Sequence, residues 1–138
     1  MLYTPEVLAL ATGLAAFPFD PAAPLTGEAR SLTCGSSVKL SLWLDPHGLI
    51  AGIGVAAHAC AIGQASAALF AASAIETSAT ELAEADAAIT DWLSGGALPQ
   101  WPGFAAIAAA RDYPARHSAI RLPWKAALAA LASSATGG

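Results

Sequence analysis

Two neighbouring stretches of the chain alternate between apolar and polar or small residues, which is the period of a half-buried β-strand. The first covers 38–44 and the second covers 49–57. Between them, Pro46 presets the second position of a β-turn and Gly48 tolerates the last position. The pattern therefore predicts a β-hairpin, and 28–33 is predicted as a short strand that precedes it.

Helical patterns surround this hairpin. Residues 5–16 begin at a proline and carry a broad apolar face, and 60–75 form an apolar, alanine-rich run. Ser78, with Glu81 three residues later, matches a capping box, which satisfies two free amides at the start of a helix. This third helix is predicted to end at Leu93.

Two more helices complete the chain. A short alanine-rich helix is predicted over 103–110, and a last helix begins near Ser118 or Pro123 and runs to Ala132. A block of strands before a block of helices predicts an α+β fold, a small antiparallel three-stranded sheet packed against about five helices.

The length of 138 residues predicts a single domain over 1–138. Its core is expected over 5–132, and 133–138 is expected to be a flexible tail.

The charge distribution argues against two classes of partner. The net charge is −4 and the six Lys and Arg residues form no basic stripe, so nucleic acid is not an expected partner. The stretch 49–75 has no charge apart from a possible one on His58, and its length would suit a membrane span. Its glycines and its alternating first half favour a strand followed by a buried helix, so no membrane association is expected.

The chain has two cysteines, Cys34 and Cys60, which is too few for the disulfide framework of a small secreted protein. Residues 1–20 lack the basic segment of a signal peptide, so a cytoplasmic location with reduced thiols is expected. This setting favours a reactive or metal-binding role for the cysteines.

Each cysteine lies in a sequence context that is expected to expose its thiol. Cys34 precedes Gly35 at the edge of the hairpin, and Cys60 stands at the beginning of a predicted helix. A strand edge and a helix N-terminus can converge in space. Thiolates at helix N-termini are good nucleophiles and metal ligands.

These contexts resemble the NifU/IscU/SufU family of iron–sulfur cluster assembly scaffolds. The shared features are a Cys-Gly step into a strand, a hairpin, and Cys60-Ala61-Ile62 at the head of a helix rich in alanine and serine. Segment 113–124 resembles the part of SufU-type members in which Pro-Ala-Arg precedes the third cysteine and Leu-x-Trp follows it. The long spacer after the second cysteine also resembles the SufU branch, and the resemblance covers 5–132.

The resemblance implies a site of three cysteines and one aspartate at one end of the fold. Such a site holds a nascent cluster or a zinc ion and receives sulfur from a cysteine desulfurase. Cys34 matches the first cysteine and Cys60 the second. Ser36 stands at the position of the aspartate and Ala119 at that of the third cysteine, so the ligand set is degenerate.

Two histidines are weaker metal candidates. His117 lies two residues before Ala119, and His58 lies two residues before Cys60 at the end of a predicted strand. In IscU-type members a histidine directly precedes the third cysteine, and that position is Ser118 here. A site with two cysteines and one or two histidines is conceivable, with Ser36 as a poorer ligand. The plainer alternatives are a polar residue at a helix start for His117 and a buried helix residue for Cys60.

The sequence therefore leads to the hypothesis of a divergent iron–sulfur cluster assembly scaffold or sulfur acceptor that uses Cys34 and Cys60. A transient iron–sulfur cluster or zinc is the expected cofactor, and no enzymatic activity is expected. The expected partner is a cysteine desulfurase, and a homodimer that shares its cysteines is possible. The alternatives are a binding or regulatory module that kept the fold, and a redox switch in which the two cysteines form a disulfide, which requires their Cα atoms to lie within about 7 Å.

Overall fold

Three antiparallel strands form the base of the fold in a computed structural model, which describes residues 2–32 and 35–137, with side chains up to Ser133. The strands are β1 (Leu25–Arg30), β2 (Ser37–Leu44) and β3 (Ile50–His58), and they lie in that order. Strand β2 is central, because it pairs with both of the others.

The predicted hairpin is present. In the turn between β2 and β3, the carboxylate of Asp45 accepts hydrogen bonds from the backbone amides of His47 at 2.8 Å and Leu49 at 3.0 Å. A short aspartate side chain that bonds to the backbone two residues further on stabilises a turn of this kind.

The first strand begins and ends three residues earlier than the sequence predicts, at Leu25–Arg30 instead of 28–33. Glycine is uncommon inside strands, but Gly27 pairs with Leu40 in the central strand. A helix packs against this strand at Gly27.

Four α-helices cover the sheet and pack on one another. They are α1 (Pro5–Gly13), α2 (Ala61–Ser73), α3 (Ala79–Leu93) and α4 (His117–Gly137). A short 3-10 turn over Leu14–Ala16 follows α1. Ser78 and Glu81 form the predicted capping box of α3. Helix α4 continues to Gly137, beyond its predicted end at Ala132.

The helix predicted over 103–110 is a 3-10 helix over Phe104–Asp112. It starts after Gly103, whose φ is +78°, and it is interrupted at Ile107, whose φ is −109°. A second 3-10 turn, Pro114–Arg116, leads into α4. With this 3-10 segment as the fifth helical element, the α+β prediction of a three-stranded sheet under about five helices is confirmed.

Helix α4 packs closely against β1 at Gly27. A Cβ added to Gly27 would overlap the carbonyl oxygen of Ala126 and would lie 2.7 Å from the amide nitrogen of Ala130. Only glycine fits such a contact. The position of α4 along the strand is therefore fixed by Gly27, and this places the N-terminus of α4 at one end of the sheet.

Five aromatic side chains fill the core between the helices. Trp101 stacks on Phe70 with ring centroids 5.8 Å apart, and Trp124 meets both rings edge-on. Phe104 and Trp92 extend this cluster. Trp124 is fully buried, so it anchors α4 in this core.

The charge-poor stretch 49–75 is divided between β3 and α2. In the part of the chain that the structure describes, no helix has both the length and the apolar character needed to cross a membrane.

Candidate functional site

Three segments meet at the end of the sheet where the N-terminus of α4 lies. The loop after β1 is closed by a hydrogen bond of 2.8 Å from the amide of Ser31 to the carbonyl of Ser36. The Ser31 hydroxyl lies 2.6 Å from the hydroxyl of Ser118 in α4, which ties this loop to the helix. Cys34 and Thr33 lie outside the described residues.

The third segment is the turn from β3 into α2, and it opens onto a depression beside the loop. The depression has a volume of about 340 Å³ and its lining comes from both segments: Gly35, Ser36, Ala57, His58, Ala59, Cys60 and Gln64. Gly35 and Ser36, which follow Cys34 in the sequence, line one side of this space, and Cys60 lines the other.

Cys60 is the N-cap residue of α2, as the sequence predicts, with φ of −65° and ψ of 171°. Its side chain makes no capping hydrogen bond to the helix, and it is half-buried. The thiol is therefore only partly buried, and it forms no hydrogen bond that caps α2.

Gln64 is a site residue that the sequence analysis missed. Its side-chain Nε2 donates a hydrogen bond of 2.9 Å to the carbonyl of Ala59, and its backbone amide donates one of 2.9 Å to the carbonyl of Cys60. The signal for it was available, because a residue four positions after Cys60 lies on the same face of the helix.

Ala119 and Cys60 both border Gly63. A Cβ added to Gly63 would be 3.4 Å from the Cβ of Ala119 and 3.9 Å from the sulfur of Cys60. Ala119 is fully buried and offers no metal-ligating atom. The fold therefore brings the residue that stands at the third cysteine position up to the α2 end of the site.

The first turn of α4 is held in place by a buried hydroxyl. Pro123, inside α4, has no N–H, so the carbonyl of Ala119 lacks its usual helical donor. One residue further on, the hydroxyl of Ser66 in α2 donates a hydrogen bond of 2.7 Å to the carbonyl of Ile120. Because Ser66 and Cys60 belong to the same helical segment, this bond sets the position of Ala119 relative to the thiol.

Replacement of Ser66 by alanine is expected to lower the free energy of unfolding by about 1–2 kcal/mol, because the buried hydrogen bond from its hydroxyl to the Ile120 carbonyl is lost. Chemical denaturation measures this change. Ser94→Ala is the control, because the exposed Ser94 hydroxyl bonds to Thr90 at the surface and its loss should cost much less. Equal costs for the two variants would contradict the role of Ser66.

The two histidines have different surroundings. His58 ends β3, is exposed, and lines the depression with Cys60. His117 is the first residue of α4, and its Nε2 lies 2.6 Å from the carbonyl oxygen of Arg111, in the 3-10 segment. That nitrogen is therefore engaged by the backbone.

Ser36 stands at the aspartate position of the resembled site, and Ser118 stands at the position of the histidine that precedes the third cysteine in IscU-type members. Ser36 is buried, and Ser118 bonds to Ser31. Among residues 2–32 and 35–137, no group of three or more His, Cys, Asp and Glu side chains lies close enough to hold a metal ion. The described residues alone thus do not form a tetrahedral zinc site, which takes four N, S or O ligands.

An antiparallel three-stranded sheet under helices is also the fold of a solved NifU-like structure. The chain is similar to a nitrogen-fixing NifU-like protein (N-terminal) of Brucella abortus, with a TM-score of 0.89 and 25% identity. The match covers 99% of this chain and 96% of that one. This similarity confirms the resemblance predicted from the sequence.

Two further solved structures share the fold. A protein of Fervidobacterium islandicum, assigned as an iron–sulfur cluster assembly scaffold for the SUF system, matches with a TM-score of 0.83 and 24% identity, over 95% of this chain and 97% of that one. A hypothetical protein matches with a TM-score of 0.74 and 21% identity, over 91% of this chain and 96% of that one. No family model and no curated protein matches the sequence.

Proposed function

We propose that this protein is a divergent sulfur-accepting scaffold of iron–sulfur cluster assembly, in which Cys60 accepts sulfur from a donor and Cys60 and Cys34 together hold it. The observation that carries the proposal is the half-buried Cys60 at the N-terminus of α2, facing a depression that Gly35 and Ser36 also line. The proposal is supported further by the solved scaffold structures that share this fold.

The proposed reaction needs only a thiolate and a persulfide donor. The Cys60 thiolate attacks the outer sulfur of a cysteine persulfide on the donor protein. A new S–S bond forms to Cys60, the S–S bond of the donor breaks, and the donor cysteine leaves as a thiolate. No electrons are gained or lost overall, so no further oxidant or reductant is required.

The proposed donor is a cysteine desulfurase, which generates such a persulfide. Iron, sulfide or zinc would then be cargo that the thiols hold. A second copy of the chain could supply two more cysteines to the same cargo, so a homodimer on loading is part of the proposal. Two chains would relieve the shortage of ligands left by Ser36 and Ala119.

Cys60→Ser is expected to abolish sulfur transfer from a desulfurase that carries a radiolabelled persulfide. Serine has nearly the same size, but its hydroxyl is not a nucleophile toward sulfur at neutral pH, so a loss of at least about a hundredfold is expected. The label on the chain is measured after anaerobic incubation and removal of the donor.

The control is Cys34→Ser, which leaves the first acceptor intact, so some label should remain on Cys60. Iron and acid-labile sulfide are measured on the same anaerobic preparations, and both are expected to fall in either variant. Unchanged labelling of Cys60→Ser would contradict the assignment of Cys60 as an acceptor.

A second candidate function is a binding or regulatory module that kept the scaffold fold but lost assembly. It is favoured because Ser36 and Ala119 stand at two of the four ligand positions of the resembled site. If the parent chain takes up neither sulfur, iron nor zinc, this candidate replaces the first. A redox switch between the two cysteines stays a prediction, because Cys34 lies outside the described residues.

A further inference from the structure

Gln64 holds both peptide groups that flank the Cα atom of Cys60. The carbonyl of Ala59 belongs to the peptide before Cys60, and the Gln64 side chain donates to it at 2.9 Å. The carbonyl of Cys60 belongs to the peptide after it, and the Gln64 backbone amide donates to it at 2.9 Å. A single residue thus restrains φ and ψ of Cys60 from both sides.

These restraints determine where the thiol lies. With both flanking peptide planes fixed, the direction of the Cα–Cβ bond of Cys60 is fixed as well. The thiol then has only its χ1 rotation left, and Gly63 keeps the space beside it open, since a Cβ on Gly63 would be 3.9 Å from the sulfur. Gln64 is half-buried and lines the same depression as Cys60.

We propose that Gln64 is a positioning residue for Cys60, which aims the thiol into the depression for reaction with the persulfide donor. This inference rests on the proposed function and adds a residue to it. Attack on a persulfide requires the incoming sulfur to approach along the S–S bond that breaks, so the rate depends on the direction of the thiol. Ordering of the thiol by Gln64 raises that rate without contact between Gln64 and the sulfur.

The test compares two substitutions of similar length. Gln64→Met keeps the length of the side chain but removes the donor to Ala59. Gln64→Lys keeps a donor with enough reach. Gln100→Met is the matched control, because Gln100 is the other glutamine of the chain and is exposed, away from Cys60.

The first measurement is native-state hydrogen exchange at the amides of residues 64 and 65, which needs no sulfur donor. Loss of a hydrogen bond worth about 1 kcal/mol is expected to make these amides exchange about fivefold faster in Gln64→Met. Gln64→Lys is expected to restore the protection, and Gln100→Met to leave it unchanged. A merely volume-filling role of Gln64 would give the same result for methionine and lysine.

The second measurement is sulfur transfer to Cys60 at increasing concentrations of the chain. Gln64→Met is expected to lower the maximal rate of sulfur transfer about tenfold with an unchanged half-saturating concentration. The reason is that the thiol of Cys60 loses its orientation, whereas the surface of the chain that meets the donor is kept. Gln64→Lys is expected to recover most of the rate. These two patterns together support the proposal.

Two results would overturn it. One is exchange at residues 64 and 65 that changes less than twofold in Gln64→Met, and the other is an unchanged maximal rate despite faster exchange. If the parent chain accepts no sulfur at all, the proposed function fails and the positioning role for transfer fails with it, whereas the exchange data still decide whether Gln64 restrains the turn. The two failures are therefore distinguishable.

Discussion

The double substitution Ser36→Asp and Ala119→Cys is expected to give the chain a zinc site that binds at least about a hundredfold more tightly than the parent protein. Zinc prefers four ligands in a tetrahedron, and thiolate and carboxylate groups both suit it. The Ala119 position borders Gly63 next to the sulfur of Cys60, so a thiol there would lie on the side of the site where no ligand is present. The aspartate would replace a hydroxyl in the lining of the depression.

Equilibrium dialysis with zinc alone measures the affinity and the stoichiometry of this variant. At a zinc concentration a hundred times Kd, binding should also stabilise the fold by about 2.7 kcal/mol, which is seen as a rise in Tm. The control adds Cys60→Ser to the double variant and should lose the gain. An affinity for zinc no higher than that of the parent protein would show that Cys34, Cys60 and the two new ligands do not converge.

Gly27→Ala is expected to lower the free energy of unfolding by about 3 kcal/mol, since the contact between β1 and α4 is backbone against backbone. The new methyl group would overlap the Ala126 carbonyl oxygen and lie within 2.9 Å of the Ala130 Cβ. Neither neighbour is the end of a flexible side chain, so relief requires α4 to move away from the sheet. Urea denaturation of the purified variant measures the change.

Gly13→Ala is the matched control for this substitution. No atom would lie within 4 Å of a Cβ at Gly13, the last residue of α1, so alanine there is expected to stabilise the protein by about 0.5 kcal/mol or more. Opposite signs for the two glycines are the expected result. A cost below 1 kcal/mol for Gly27→Ala would mean that α4 is free to shift along β1.

The parts of the fold that local sequence determines were predictable. The hairpin follows from alternation and from the turn at 45–48, and α3 follows from Ser78 and Glu81, whose capping bonds are local. The parts that tertiary contacts determine were not. The start of β1 at Leu25 includes Gly27, whose contact with α4 is tertiary. Pro123 is one of the two predicted helix starts, but it lies inside α4, whose first turn also bonds to Ser66 of another helix.

The same division applies to the site. Cys60 at a helix N-terminus was predictable, because both the helix and its first residue are marked in the sequence. The role of Ser31 was not predicted, because it depends on a contact with Ser118 in another segment. Gln64 was missed although its spacing from Cys60 was a usable signal, since its bond to Ala59 is local. His117 was singled out by its distance in sequence from Ala119, but its Nε2 is engaged by Arg111, and sequence spacing cannot show this.

The hydroxyl pair of Ser31 and Ser118 has a consequence for the conditions under which the site keeps its shape. A histidine or an aspartate at such a position gains or loses charge with pH, and its bonds weaken in salt. Hydroxyl groups do neither, so the 2.6 Å contact that attaches the loop to α4 involves no titrating group. The contribution of this one contact should therefore be the same in acidic and neutral solution and at low and high ionic strength.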